Sequence, residues 1–276
     1  MITIDNLAFS YGTKAVLKNI SMTLQEGRIY GLLGENGVGK TTLLTLLCGL
    51  KKPLSGRILT DGMLPYDRQP ALLQGQYYLP DDVSPQGVTA ETFARQNGRF
   101  WPRFDLRKFL AVQQEFETPA DKKMDTLSAG QLKKTYISFA LATNARYLFM
   151  DEPTNGLDIP SKSQFRSAIT KYTAEDSTIV ISTHQVRDLE NIIDPIIILD
   201  NQEVLLNASM EDIAARLYFE YGEDLHPDAL YCEPLPGGFI QVCPNPDGAE
   251  SRVHIEALFN AVHRNKELVK SLFKNA

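Results

Sequence analysis

The sequence predicts an α/β fold built around a phosphate-binding loop, and three stretches support this prediction. The first, residues 34–42, is rich in glycine and lies between an apolar segment and a leucine-rich segment. The second, residues 147–150, is wholly apolar and precedes two acidic residues. The third, residues 177–182, is largely apolar and precedes Thr-His-Gln. Short apolar runs of this kind are typical of buried strands in a parallel sheet, which alternate with helices along the chain.

Size, charge and cysteine content narrow the class of protein. The 276 residues, of which 43% are hydrophobic, suffice for one large domain with an extension, or for two domains. The net charge of −6 argues against nucleic acid as the main partner. The three cysteines fit neither a disulfide framework nor a metal pattern. Because we find neither a signal-peptide pattern nor an apolar run near the ~20 residues that span a bilayer, we expect a cytoplasmic protein.

Residues 34–42 match the phosphate-binding pattern of glycine, four residues, then Gly-Lys-Thr. Glycines permit backbone geometry that side chains would block, so that N–H groups can curl around a phosphate. Lys40 is expected to reach the β- and γ-phosphates, and the Thr41 hydroxyl to ligate Mg²⁺. The candidate contacts in the loop are Gly34, Asn36, Gly37, Gly39, Lys40, Thr41 and Thr42.

The β-rich segment before the loop, residues 1–24, contains a turn with an exposed-looking aromatic residue, Tyr11. Its ring either stacks on an adenine or is half buried for packing.

Three polar residues follow the two buried strands at their carboxyl ends, where α/β sheets place ligands. Asp151 suits Mg²⁺ coordination, and Glu152 suits polarising the attacking water. The alternative is a structural capping role, although adjacent acids ending a buried strand are costly. His184 either donates a hydrogen bond to the γ-phosphate or is a satisfied loop residue.

The segment between these motifs has a helical pattern over residues 89–116, broken near Trp101. Its aromatic rings form a docking surface or pack internally. Ser128 then begins a further helix as its N-cap, leaving the Gly130 and Gln131 amides free to meet an anion. Read alone, residues 127–131 are equally a simple helix start.

In this order, the motifs resemble those of the ATP-binding cassette ATPases over residues 1 to about 210. The match comprises the loop, the signature Leu-Ser-Ala-Gly-Gln at 127–131, the acids at 151–152, the turn at 156–158 and His184. The resemblance implies a P-loop NTPase cassette with a mixed sheet core, an N-terminal antiparallel β subdomain and a helical subdomain at about 84–140. A small α+β C-terminal extension, residues 211–276, would follow.

The resemblance also implies individual roles. Tyr11 would stack on adenine, Lys40, Thr41 and Thr42 would contact phosphate and Mg²⁺, Asp151 would be the Mg²⁺-associated acid, Glu152 the catalytic base and His184 the γ-phosphate sensor. Ser128 and Gly130 would act in trans on the nucleotide of a second cassette, with Asp158 at the same dimer seam.

Asp81 departs from the pattern, since the family usually has glutamine there. An aspartate can hold a metal-bound water but is shorter and cannot donate.

The function implied by the resemblance is an ATPase, using ATP and Mg²⁺, that powers a membrane transporter, with export favoured. Its partners would be separate transmembrane permease subunits and a second cassette, as a homodimer or heterodimer, and it would lie at the inner membrane through the permease. The alternative is a non-transport cassette protein acting on ribosomes or DNA, which the single cassette and the acidic charge disfavour. A non-hydrolysing scaffold is disfavoured by the presence of Lys40, Glu152 and His184.

The extension, residues 211–276, carries none of these motifs. It suggests two short strands around Gly237 and Gly238, then one or two amphipathic helices over residues 255–273. We expect either an accessory unit for dimer contact or regulation, or a tail packed on its own cassette.

Overall fold

The computed structural model describes residues 1–273. The strands are β1 (Ile2–Tyr11), β2 (Lys14–Leu24), β3 (Ile29–Leu33), β4 (Ser55–Thr60), β5 (Gln76–Leu79), β6 (Tyr147–Asp151), β7 (Thr178–Thr183), β8 (Ile196–Asp200), β9 (Glu203–Ala208), β10 (Leu217–Gly222), β11 (Tyr231–Leu235) and β12 (Gly238–Pro244). The helices are α1 (Lys40–Leu47), α2 (Pro70–Leu73), α3 (Ala90–Gly98), α4 (Leu106–Glu115), α5 (Ala129–Ala142), α6 (Ile159–Tyr172), α7 (Met210–Arg216), α8 (Ile255–Arg264) and α9 (Lys266–Phe273). Within residues 1–273, no helix has the length and apolarity needed to cross a membrane.

The central sheet has the strand order β5-β6-β7-β3-β8-β9 and is parallel except for β9. Strand β3 lies beside β7, and β6 lies on the other side of β7. The carboxyl ends of these three strands therefore meet at one edge, where the register pairs Leu33 with Thr183 and Asp151 with Ser182. This topology confirms the predicted mixed α/β core and gathers the three polar motifs.

The N-terminal sheet, in the order β2-β1-β4, is antiparallel, as the resemblance implied. Its apolar side chains share a buried cluster with α1 and the central sheet, including Leu7, Ile20, Leu43 and Phe149. This packing holds the β1–β2 turn, and with it Tyr11, beside the start of α1.

The helical segment contains α3 and α4, with the predicted break near Trp101 between them. Most of its rings are packed: Phe93, Phe109 and Phe116 are buried, Trp101 packs edge-on against Phe139, and Phe104 packs against the same ring at a tilt. Phe100 is 58% exposed. Internal packing therefore accounts for most of the aromatic residues that suggested a docking surface.

The extension contains the predicted hairpin, β11–β12, and the two predicted helices, α8 and α9. Strand β10, which the sequence did not predict, pairs with β12. Val242 and Leu258 of the extension belong to the same buried cluster as Ile198 and Leu206 of the central sheet. The extension is therefore packed on its own cassette, and the expected boundary after residue 210 falls within α7.

Candidate functional site

The loop between β3 and α1 has a backbone that requires glycine at several positions. Gly37 and Gly39 have φ angles of 81° and 118°, which side chains rarely adopt. A Cβ on Gly34 would lie 2.6 Å from the carbonyl oxygen of Leu199. The loop thus curls tightly and leads directly into the N-terminus of α1, an arrangement that suits a phosphate.

Lys40, the first residue of α1, is only 6% exposed. Its Nζ donates to the carbonyl oxygens of Gly34 at 2.8 Å and Glu35 at 3.2 Å, which folds the side chain back over the loop. The same nitrogen lies 3.3 Å from Glu152 Oε1. The lysine therefore links the loop to the end of β6.

Asp151, at the end of β6, is buried and accepts several hydrogen bonds. The Thr41 hydroxyl donates to Oδ2 at 2.6 Å, and the Ser182 hydroxyl donates to Oδ1 at 2.5 Å. The Tyr78 hydroxyl lies 3.4 Å from Oδ2, and burial followed by the nearby Asp151 charge raises the pKa of Tyr78, which keeps it protonated. A threonine hydroxyl beside a carboxylate is a donor set that suits Mg²⁺ completed by substrate phosphates.

Metal binding at the start of α1 would depend on Thr41 and Asp151, together with substrate phosphates. Within the described residues, no group of three or more His, Cys, Asp or Glu side chains is arranged to hold a metal ion. Mg²⁺ is commonly bound through one or two carboxylates together with phosphate oxygens, so Thr41 and Asp151 fit such a site.

Glu152 is held in an unusual backbone conformation, with a φ angle of 44°. Its N–H donates to the Ser182 hydroxyl at 2.9 Å, and its Oε2 lies 3.0 Å from His184 Nδ1. Oε1 is buried and has no hydrogen-bond partner within residues 1–273, although the charge of Lys40 lies nearby. Strained backbone is frequent at functional sites, and this oxygen is available to accept from a water.

Tyr11 lies at the rim of the same cleft. Its ring is 48% exposed and packs edge-on against Phe9, and its hydroxyl lies 3.4 Å from Thr42 Oγ1. The cleft has a volume of about 360 Å³ and is lined by Tyr11, Lys14, Val16, Asn36, Gly37, Gly39, Lys40, Thr41, Thr42, Asp81, Asp151 and Glu152. An exposed ring at this position is placed to stack on a base, and that role stays a prediction.

Five of the predicted site residues do not line this cleft. Gly34 and His184 line a neighbouring cleft of about 650 Å³, and Ser128, Gly130 and Asp158 lie elsewhere. Ser128 caps α5 through a reciprocal pair with Gln131: its hydroxyl accepts from the Gln131 N–H at 3.2 Å, and its N–H donates to Gln131 Oε1 at 3.1 Å. The expectation that the Gln131 amide is free was therefore wrong, because the cap itself takes up that N–H. Gly130 lines a separate cleft of about 250 Å³. Asp158 caps α6, and its hydrogen bonds from Ser161 lower the pKa of its carboxyl group. Helix α6 begins at Ile159, directly after this capping residue.

Asp81 lines both clefts and is engaged by neighbouring residues. Lys133 lies 3.0 Å from Oδ1, and the Asn155 amide donates to both carboxylate oxygens at 3.3 Å. Within residues 1–273, neither oxygen is hydrogen bonded to Thr41 or Asp151. Asp81 is therefore engaged by Lys133 and Asn155, and its contact with the metal stays a prediction.

Sequence reasoning missed Ser182, Tyr78 and Lys133. Ser182 was visible as a small polar residue ending a buried strand, and the parallel register with Asp151 explains its role. Tyr78 precedes the end of β5, beside β6. No local signal in the sequence marked Lys133.

One family model and several known proteins are similar to this chain in sequence. The family model described as ABC transporter matches residues 17–155. ABC transporter ATP-binding protein YtrB of Bacillus subtilis is 30% identical over 206 residues, covering 74% of this chain and 70% of the relative. Linearmycin resistance ATP-binding protein LnrL of the same organism is 27% identical over 226 residues. This match covers 79% of this chain and 72% of the relative.

Among solved structures, one described as the structure of an ATP binding subunit of an ABC transporter superposes with a TM-score of 0.70. It is 24% identical to this chain, and the match covers 91% of that structure and 77% of this chain. At that identity the likeness supports the fold alone.

Proposed function

The chain belongs to the ABC transporter family as an ATP-binding, ATP-hydrolysing subunit, and we propose that it powers export through a separate membrane permease. Within the chain we assign the cassette to residues 1–210, with a helical subdomain at about 84–140, and the extension to residues 211–276. The ribosome- or DNA-directed alternative is disfavoured by the net charge of −6.

The observation that carries the catalytic assignment is the placement of the Glu152 carboxylate. One oxygen lies 3.3 Å from Lys40 Nζ and the other lies 3.0 Å from His184 Nδ1. A buried carboxylate between a loop lysine and a histidine is placed to orient a water at the terminal phosphate. Such proton-accepting side chains contribute roughly 10²–10⁴-fold to a rate.

The remaining roles in the cleft follow from charge and donor type. Lys40 and the loop N–H groups, together with Thr42, hold the phosphates, and Tyr11 stacks on the adenine. Thr41 and Asp151 would hold Mg²⁺, which would supply positive charge to offset that of the phosphate oxygens. Because Nδ1 of His184 faces Glu152, the γ-phosphate contact is assigned to Nε2, which lies 3.3 Å from the Gln185 side-chain amide nitrogen.

The pairing of two cassettes is supported by the residues that lie outside the cleft. Ser128 and Gly130 sit at the start of α5, and Asp158 at the start of α6. A helix N-terminus is a favourable site for an anion. We assign Ser128 and Gly130 to the γ-phosphate bound by a second cassette, as a homodimer or heterodimer, and Asp158 to the seam between the two.

The proposal includes a permease partner and a direction of transport. Within residues 1–273 the chain offers no helix suited to span a membrane. We assign translocation to a separate permease subunit, which would hold the chain at the membrane. We favour export by analogy with LnrL, whose name records resistance to linearmycin.

The proposal is tested by purifying the full chain and measuring ATP binding and phosphate release with and without Mg²⁺. We expect Mg²⁺-dependent release. We also expect a neighbouring gene to encode a permease that increases this release when it is added in lipid nanodiscs. Lys40→Met is the matched control and should lose ATP affinity by at least tenfold. Wild-type chain that binds no ATP, with or without the permease, would contradict the proposal.

A further inference from the structure

Lys133 is a buried lysine on α5 whose charge needs a partner. Its side chain is 6% exposed, three residues beyond Gly130 in the signature segment. Its Nζ contacts the carbonyl oxygen of Asp81 and lies 3.0 Å from Asp81 Oδ1. An ammonium group withdrawn from water is costly unless it is paired, so the position of Asp81 and the charge of Lys133 depend on each other.

Asp81 has a second partner, which extends the connection to a third segment. The Asn155 amide, in the turn that follows Asp151 and Glu152, donates to both carboxylate oxygens at 3.3 Å. Asp81 follows β5 and also lines the cleft that contains Lys40. One carboxylate thus joins the edge of the nucleotide cleft, the first turns of α5 and the turn after β6.

We propose that Asp81 is a positioning residue that acts through Lys133, tying the start of α5 to the nucleotide cleft, instead of contacting the metal. The inference rests on the proposed function, because the start of α5 carries the residues offered to the second cassette. It also explains why this chain has aspartate where the resemblance leads one to expect glutamine. A neutral amide at position 81 would leave the Lys133 charge buried without a counter-charge.

The connection makes the two clefts dependent on each other. Ser128 and Gly130 lie within the two helical turns of α5 that contain Lys133. A change at the nucleotide cleft that moves Asp81 therefore moves Lys133 and the N-terminus of α5 with it. Loss of the ion pair should reduce turnover by uncoupling these positions, with little effect on the metal requirement.

The test uses the full chain, with the permease, in four variants: Asp81→Asn, Lys133→Met, the double variant and Lys133→Arg. We expect Asp81→Asn and Lys133→Met each to lower kcat by roughly tenfold, which is within the range of coupling between sites. The Mg²⁺ concentration for half-maximal rate should stay within about twofold of wild type, and the double variant should be no slower than either single variant. Lys133→Arg keeps the charge and should recover most of the rate.

The double variant separates positioning from stability alone. Because it has no unpaired buried charge, its Tm should return to near the wild-type value, whereas its kcat stays low. Asp82→Asn, a change in the exposed neighbouring acid, is the matched control and should leave kcat within about twofold of wild type.

Hydrogen exchange of residues 127–135 gives a measurement that does not need hydrolysis. We expect roughly tenfold faster exchange in Asp81→Asn and in the double variant than in wild type or Asp82→Asn. This readout separates the two proposals, because it stands even if the wild type releases no phosphate and the proposed function fails. A tenfold rise in the Mg²⁺ requirement of Asp81→Asn alone, additive effects of the two single changes, or unchanged exchange would each overturn the positioning role.

Discussion

The Nζ of Lys40 lies 3.3 Å from Oε1 of Glu152, and both side chains are almost wholly buried. Lys40 starts α1 and Glu152 follows β6. The ion pair therefore joins two segments that lie 112 positions apart in the sequence. Lys40 therefore neutralises Glu152 as well as serving the loop, and its removal should affect stability in addition to ATP binding.

The Lys40→Met variant should lose up to about 3 kcal/mol of unfolding free energy, because Glu152 is left as a buried charge without that cation. Lys40→Met combined with Glu152→Gln should recover most of the loss, since neither partner is then charged. Urea denaturation of the four proteins of this double-mutant cycle measures the coupling. Equal stability of Lys40→Met and wild type would show that the pair contributes nothing to folding.

The two roles of Ser128 can be separated by a pair of substitutions. Ser128→Ala removes the N-cap of α5 and should cost about 1 kcal/mol. Ser128→Asp retains a capping oxygen and should leave the Tm near wild type, but it places a negative charge toward the phosphate of the second cassette. Both variants should therefore lower phosphate release by at least tenfold. A Ser128→Asp protein with wild-type turnover would remove Ser128 from its proposed role.

The packing of the extension on the cassette predicts that they unfold together. Leu258 of α8 is fully buried, and Leu258→Ala should cost about 2–5 kcal/mol. Leu268 of α9 is 46% exposed, so Leu268→Ala should cost less than about 0.5 kcal/mol. The fluorescence of Trp101, in the helical subdomain, should report the Leu258→Ala shift as fully as circular dichroism does. An unshifted Trp101 transition would show that the extension unfolds independently.

The junction between β8 and the C-terminal helices should contribute pH-dependent stability. Burial raises the pKa of Asp200, but the Lys266 ion pair and the His263 charge outweigh it, and the net pKa lies below its usual value. A lowered folded-state pKa stabilises the fold above the unfolded value near 3.9, and that stabilisation is lost as pH falls through the folded value.

The Asp200→Asn variant should accordingly be less stable than wild type at pH 7 by up to about 1 kcal/mol. The difference should shrink as pH falls below the unfolded value near 3.9 and should vanish below the lowered folded-state pKa, where the native carboxylate is protonated. Thermal melts between pH 7 and pH 3 check this, with exposed Asp247→Asn as the control. A difference between Asp200→Asn and wild type that does not change with pH would contradict the assignment.

The parts of the site that the sequence predicted are those fixed by local chain order. The loop carries its own glycines and lysine between a strand and a helix, and buried parallel strands must end at a common edge. The structure therefore brings four predicted residues together at this edge of the sheet, as expected: Lys40, Asp151, Glu152 and His184.

The parts that the sequence did not predict depend on partners distant in the chain. Asp81 and Lys133 are 52 residues apart, and the ion pair exists only because β5 and α5 pack together. Strand β10 is defined by its pairing with β12, and its own residues lack a clear alternating pattern. Neither pairing leaves a local signal, so neither was visible before the fold was known.

The most direct test of the central claim, that Glu152 drives hydrolysis between paired cassettes, is phosphate release by Glu152→Gln measured together with its mass in solution. The account predicts a rate at least about 10²-fold below wild type, with a dimer that forms on addition of ATP and persists. Exposed Glu117→Gln is the matched control and should behave as wild type. Glu152→Gln that hydrolyses ATP at the wild-type rate, or that stays monomeric with ATP, would contradict the account.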